Sequence, residues 1–368
     1  MARLDPRERL DRLRLIRTPR VGPATFHDLI RRLGSAGHAI EALPELARTA
    51  RASLKLATVA DAERELELAG RNGAEMVLWG EPGYPAALAA ADTPPPVLFF
   101  RGASSTLGKP AVAIVGARNA SAAGSRFARL LAADLGAGGL VVVSGLARGI
   151  DAAAHAGALE TGTIAVLAGG LSRPYPPENV PLMERIAAEG GVVLSEMPWG
   201  WEPRAQDFPR RNRIVAGLGL GLVVVEAALR SGSLISARLA GELGRLVFAV
   251  PGSPLDPRAE GTNRLLKQGA TLVTSASDVL DEIAPLLGRA QAGSIPALRE
   301  DPPGLDAIDG SDRARVANAL SPTPISLDEL AAHTGLSSSQ LSLALLELDL
   351  SGRIERHSGG AVSICARP

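Results

Sequence analysis

The chain has 368 residues, with 39 basic against 39 acidic side chains and only 3% aromatic content. A net charge of zero supplies no global field to draw the molecule onto nucleic acid or an anionic membrane, so any such binding must be local. The single cysteine, Cys365, excludes an internal disulfide and a multi-cysteine zinc site, and the longest uncharged apolar run, Ile214 to Val225, is too short and too glycine-broken to span a bilayer. A cytoplasmic protein of two or three domains is expected, with no membrane contact. Basic residues do concentrate locally, with 11 Arg against six acids in residues 1–51 and ten Arg or Lys against six acids in residues 197–268.

Leu4 to Gly34 reads as two helices joined at Thr18 to Pro23 (TPRVGP), with Pro23 suited to the first turn of the second helix. Such a helix-hairpin-helix can bind a DNA backbone through its hairpin amides, or it can simply pack. A further helix at Asp61 to Gly70 and prolines at Pro82, Pro85 and Pro94 to Pro96 make residues 1–102 a small helical domain and its connection.

From Ala111 onward, short apolar runs alternate with helical stretches: AVAIV at 111, LVVV at 140, TIAVL at 163, GVVL at 191, LVVV at 222 and LVFAV at 246. Continuous apolar strands at βα spacing predict a doubly wound parallel sheet, an extended Rossmann-like α/β domain over residues 103–287. Ligands of such sheets sit beyond the carboxyl ends of the strands. The loop inside Val141 to His155 (VVVSGLARGIDAAAH) has the character of an anion pocket: Gly145 and Gly149 allow close backbone approach, the amides opening the next helix lack helical acceptors, and Arg148 adds a cation. It matches neither G-x-G-x-x-G nor G-x-x-x-x-G-K-[ST], so the usual nucleotide fingerprints are missing.

After Leu287 a segment rich in Gly, Pro and acids predicts a linker over 288–310. Residues 311–368 then read as a winged helix: a helix from Asp312 to Leu320, capping boxes at Ser326 with Glu329 and at Ser337 with Gln340, and a hairpin from Gly352 to Ile364 around Ser358 to Gly360. The helix in the reading position, Ser337 to Leu350, carries Glu347 and Asp349 and no Lys or Arg, which favours a protein contact over a DNA groove.

Catalytic chemistry is weakly represented. His155 is the one histidine near the pocket and falls on a helix face, where packing is the commoner role; Ser144 lacks the G-x-S-x-G elbow. Glu196 and Glu226 sit on strand-end loops as a conceivable acid and base pair. The segment Ser195 to Arg213 differs in kind, mixing Trp199, Trp201 and Phe208 with Arg204, Arg210, Arg211 and Arg213. Rings that stack on bases beside cations that follow a backbone are the means by which single-stranded nucleic acid is held.

In order along the chain, VGAR at 115, SGLARGID at 144, GGLSRPYPPEN at 169, SEMPWG at 195, FPRRNRIVAGL at 208, EAALRSGSLISARLA at 226 and AVPG at 249 closely resemble the DNA-processing protein A (DprA, or Smf) family. The resemblance implies a non-enzymatic single-stranded DNA-binding protein without cofactor or metal, usually a homodimer, that loads the RecA recombinase onto DNA taken up in natural transformation. It implies further that Arg118 contacts phosphate, that Ser144, Gly145, Arg148 and Gly149 supply amides and a guanidinium, that Phe208, Arg210, Arg211, Asn212 and Arg213 form the other wall, and that Ser231, Gly232 and Ser233 complete the site. The rival readings are a nucleotide-sensing module and a LOG-type phosphoribohydrolase acting on nucleoside monophosphates. The P-G-G-x-G-T-x-x-E signature of the latter has no Glu in register within PGSPLDPRAEGTN.

Overall fold

A computed structural model describes residues 3–50, 54–292, 308 and 310–365. The chain forms two compact units, one of residues 67–91 and 98–296, the other of residues 2–66, 92–97 and 297–368. Helices α1 (Pro6–Arg17), α2 (Pro23–Leu33), α3 (Ala36–Thr49) and α4 (Val59–Arg71) come first, then β1 (Glu75–Leu78), the short α5 (Ala86–Ala89) and β2 (Val97–Gly102). The βα series follows as β3 (Ala111–Val115), α6 (Ala122–Ala137), β4 (Val141–Ser144), α7 (Ile150–Gly157), β5 (Thr163–Val166), α8 (Val180–Ala188), β6 (Val192–Ser195) and α9 (Asp207–Leu218). It continues through β7 (Gly221–Val224), α10 (Gly232–Glu242), β8 (Leu246–Ala249), α11 (Glu260–Lys267), β9 (Thr271–Leu272) and α12 (Ala276–Ala292). The last elements are α13 (Gly310–Ala319), α14 (Leu327–Thr334), α15 (Ser338–Leu350), β10 (Ile354–Arg356) and β11 (Val362–Ile364).

The nine strands β1 to β9 form one sheet in the order β1-β2-β6-β5-β4-β3-β7-β8-β9. From β6 across to β9 the pairing is parallel, as the apolar runs predict. Burial on both faces explains those runs: Ala111, Ala113 and Val115 enter the core beneath α9 and α10, whereas Val112 and Ile114 enter the opposite layer under α6, α7 and α12. The chain winds outward from β3 to β6, returns, and winds the other way from β7 to β9. The reversal between β3 and β7 opens a crevice at their carboxyl ends.

Two expectations need correction. The sheet is mixed, because β2 runs antiparallel to β6 with Phe99 opposite Ser195, and β1 and β2 place much of the expected connection before Gly102 in the sheet. The prolines at 94–96 hide this strand, since they cannot donate ladder hydrogen bonds and read as a connector. Of the segment expected as a linker over 288–310, the first residues belong to α12, which runs on to Ala292; residues 293–307 and 309 lie outside those described.

In the other unit, α1–α3 and the winged helix of α13–α15 with its β10–β11 hairpin share one core, in which Leu15, Phe26, Leu29 and Leu43 join Val316, Leu330, Leu341 and Leu345. Both expected capping boxes form. The helix in the reading position, α15, buries Leu341, Leu343, Leu345, Leu346, Leu348 and Leu350, residues on two opposed faces of it, and leaves Ser338, Ser342 and Asp349 on a less buried stripe between them. Its acids serve internally: Thr25 Oγ1 donates to Asp349 Oδ2 at 2.6 Å, Arg356 pairs with the same oxygen at 3.1 Å, and Arg313 pairs with Glu347. At the hairpin turn, Arg20 adopts a left-handed φ of 69° and donates to the Leu350 carbonyl at 3.1 Å, near the negative end of α15. Leu345→Ala is expected to destabilise this unit by about 2–5 kcal/mol; hydrogen exchange should show α2 amides losing protection together with those of α15, and an unaffected α2 would refute the shared core.

Candidate nucleic-acid interface

The β4–α7 loop is built by two buried charges. Asp151, in the first turn of α7, accepts the amides of Gly145 (3.1 Å) and Ala147 (3.3 Å) through one carboxylate oxygen. From the other side, the buried guanidinium of Arg211 on α9 donates through Nη1 to the carbonyls of Gly145 and Val166, the latter at 2.7 Å. Burial pushes the Asp151 carboxyl upward against the pull of Arg211, and burial pushes Arg211 down to about 10, which leaves it charged at neutral pH.

This arrangement redistributes the amides expected to meet a phosphate. Gly145 gives its N–H to Asp151, Ile150 gives its N–H to the Ala117 carbonyl at 3.2 Å, and the buried Ser144 hydroxyl donates to the Ile114 carbonyl at 2.6 Å. Among the described residues, the Arg148 and Gly149 amides have no intramolecular backbone acceptor. Gly149 is required here: its φ of 72° with ψ of −121° suits glycine alone, and a Cβ would strike the carbonyls of Ala117 and Arg118. Leu146, buried at φ 56°, is a non-glycine residue held in the left-handed region within the same loop.

A pocket opens over this loop, lined by Arg118, Gly145, Ala147, Arg148, Tyr175, Pro176, Phe208 and Arg211. Arg118 is exposed at the end of β3 and lies over the Phe208 ring, 5.3 Å from its centroid. Tyr175 meets the same ring edge-on at 5.8 Å. Arg148 pairs with Glu178, and the next residue, Asn179, donates to the carbonyls of Leu146 (2.9 Å) and Ala147 (3.1 Å). Tyr175, Glu178 and Asn179 were not among the sequence-derived candidates, although all three lie in the RPYPPEN turn, where prolines limit the backbone and fix the side chains.

The remaining candidates lie outside the pocket wall. Arg210 and Arg213 flank the buried Glu196 at 3.1 and 2.5 Å, and Asn212 approaches the Gly232 carbonyl at 3.5 Å. Ser231 caps α10 by accepting the Ser233 amide at 3.3 Å; Gly232 is exposed there and Ser233 buried. Arg211, expected in the wall of the site, does line the pocket, from a buried position in which its Nη1 is given to backbone carbonyls. The Trp201 ring is also turned to structural use. Trp201 donates to Asp207 at 2.9 Å and is covered by Arg204 at 4.6 Å, while the Trp199 carbonyl accepts Ser172 Oγ at 2.8 Å.

The crevice between β3 and β7 is closed to a dinucleotide phosphate. Glu226, after β7, takes the Ser121 amide at 2.9 Å and its hydroxyl at 2.5 Å, so a carboxylate already sits at the α6 N-terminus. Gly124 makes room for it, since a Cβ there would meet the carboxyl group at 2.5 Å. Glu196 and Glu226 are thus both engaged, and do not form an acid and base pair. Among the described residues no group of His, Cys, Asp and Glu is arranged to hold a metal ion, and no helix is long and apolar enough to cross a membrane.

Fold and pocket together define an open α/β protein with a cationic, aromatic-lined pocket at the carboxyl edge of its sheet and a second, composite helical unit. Residues 75–284 match the family model of DNA recombination-mediator protein A, residues 6–67 that of the DprA-like N-terminal HHH domain, and residues 300–360 that of the DprA winged helix domain. The chain belongs to the DNA recombination-mediator protein A family. It is 37% identical over 308 residues to Protein Smf of Synechocystis, covering 76% of this chain and 77% of that one, and 35% identical over 358 residues to a putative DNA processing protein DprA of Mycobacterium tuberculosis, covering 92% and 87%. The crystal structure of DprA from Streptococcus pneumoniae aligns with a TM-score of 0.56 at 41% identity, covering 61% of this chain and 78% of that one. A Helicobacter pylori DprA structure, described for its single-stranded DNA binding mode, aligns with a TM-score of 0.53 at 30% identity, covering 58% and 96%.

Behind the pocket, His155 is fully buried. Thr163 Oγ1 donates to the Val142 carbonyl at 2.6 Å, so His155 Nδ1 is the donor in its 2.7 Å contact with that oxygen, and Nε2 has no partner. Burial, reinforced by the charge of Arg211, pushes this imidazole down to about 3, so it is packed neutral. An unfolded histidine titrates near 6.5, so the unfolded chain binds the extra proton between those values and stability falls as pH drops from about 6.5 toward 3. His155→Gln is expected to make thermal midpoints less sensitive to pH across that window; an unchanged slope would assign acid sensitivity to other groups.

Proposed function

We propose that this chain is a non-catalytic, cofactor-free mediator that binds single-stranded DNA along the carboxyl edge of its sheet, acts as a homodimer in the cytoplasm, and loads the RecA recombinase during natural transformation. The observation that carries the reading is the Arg118–Phe208 pair: an exposed guanidinium held over an aromatic ring, with no carboxylate in ion-pairing range among the described residues and the open amides of Arg148 and Gly149 nearby. A cation for the backbone beside a ring for a base is what a single strand offers partners to, whereas duplex bases are already stacked.

Relatives lend support. The Helicobacter pylori protein is described by its single-stranded DNA binding, and the Streptococcus pneumoniae and Bacillus subtilis relatives are named as DNA processing proteins. A phosphoribohydrolase gains no support from this edge, since Glu178, Glu196 and Glu226 are each held by arginine or by Ser121. Self-association has a platform in the exposed Leu229 and, on α10, Ile235, and light scattering of the full chain tests it.

Arg118→Ala is expected to weaken oligothymidylate binding roughly 10- to 100-fold, the range of a charged hydrogen bond of about 1.5–3 kcal/mol, without lowering thermal stability. The slope of log affinity against log salt should shrink by about 0.7. Equal affinity of the native protein for duplex and single strand, or an unchanged Arg118→Ala, would defeat the reading. RecA nucleation on DNA, measured with and without the protein, separates DNA binding from mediator activity.

A further inference from the structure

The cations of this edge differ in what restrains them. Arg118 lies over a ring, Arg211 is spent on carbonyls, and Arg210 and Arg213 flank one buried carboxylate, Glu196, whose side chain is 6% exposed. Arg148 alone among these stands in a one-to-one pair at the surface, with side-chain exposures of 57% for Arg148 and 46% for Glu178. A buried carboxylate shared by two arginines is a fixed strut, because separating it would leave charge uncompensated out of water. An exposed pair can be exchanged at small cost.

Glu178 is nevertheless placed by the fold. It belongs to the one-turn helix Pro177–Asn179, which Asn179 anchors to the two carbonyls preceding Arg148. Neighbouring side chains of one turn therefore hold the loop backbone and the loop cation. The hydrogen bond between them draws the Glu178 carboxyl below its usual range. A carboxylate and a phosphodiester offer a guanidinium the same paired anionic oxygens.

We propose that Glu178 is a displaceable stand-in for a DNA phosphate: it holds Arg148 while the pocket is empty and yields it to the backbone of a bound strand, so that it tunes the affinity and salt dependence of the site. This rests on the single-stranded DNA reading above. Glu178 is a positioning residue acting through Arg148, and its removal strengthens binding, the opposite of what loss of a structural brace would do.

The experiment is a fluorescence titration of the full-length chain with a labelled oligothymidylate across a range of salt. Glu178→Gln and Glu178→Ala are each expected to tighten binding by roughly 2- to 5-fold at low salt, the span of an exposed ion pair, and to steepen the salt slope by up to about 0.7 as Arg148 gains a counterion to release. On an Arg148→Ala background the gain should vanish. Glu189→Gln, which frees Arg185 at the opposite edge of the sheet, controls for net charge and should change affinity less than 2-fold. Unchanged or weaker binding by both Glu178 variants, a gain that survives Arg148→Ala, or an equal gain from Glu189→Gln overturns the proposal while leaving the DNA reading intact. Failure of the native chain to bind the strand defeats the DNA reading, and this inference with it.

Discussion

The site depends on the opposed pair of Asp151 and Arg211. One takes the amides of Gly145 and Ala147, the other takes the carbonyl of Gly145, so a single peptide segment is gripped from both sides by buried charges of opposite sign. Removing either partner would strand the other in a low-dielectric interior, typically at about 3–5 kcal/mol. Because Arg211 also reaches the Val166 carbonyl, the clamp ties α9, the β4–α7 loop and the end of β5 together. The glycine-rich loop is therefore a set piece, with the Arg148 and Gly149 amides open at its tip.

That rigidity sorts the arginines of the edge into different tasks. Arg211 is a buried support, Arg210 and Arg213 are held around Glu196, Arg148 is held at the surface by Glu178, and Arg118 projects freely over Phe208. The same edge is closed to nucleotide phosphate where a Rossmann protein would bind it, because Glu226 already occupies the α6 N-terminus. The pocket and its open amides lie one strand over, after β4 rather than after β3. A site of several modest cations and one ring favours a repeating polyanion over a single compact ligand, since each contact is weak alone and they add along a strand.

The second unit follows a different logic. A winged helix whose α15 carries leucines on two opposed faces cannot cover both within its own three helices, and burial against α2 and α3 is the physical resolution. Glu347 and Asp349, anomalous on a groove-reading helix, become the partners of Arg313, Arg356 and Thr25. Helical hairpin and winged helix, separable as sequence motifs, thus fold around one core.

By itself the sequence determined what local periodicity and local chemistry can encode: the parallel strands, the helix starts at Pro23, Ser326 and Ser337, the hairpin at 352–364, and a cationic loop at the carboxyl edge. Those signals are short-range and survive without tertiary context. Phe208 was legible as a ring in an Arg-rich run, and Arg118 through the VGAR turn that carries part of the family resemblance. Tertiary structure alone decided that Arg211 turns inward, that Tyr175, Glu178 and Asn179 enter the site, and that β2 joins the sheet behind three prolines. Each outcome depends on which partner a residue meets across more than 25 residues of chain, and that is not written in the spacing of residue types.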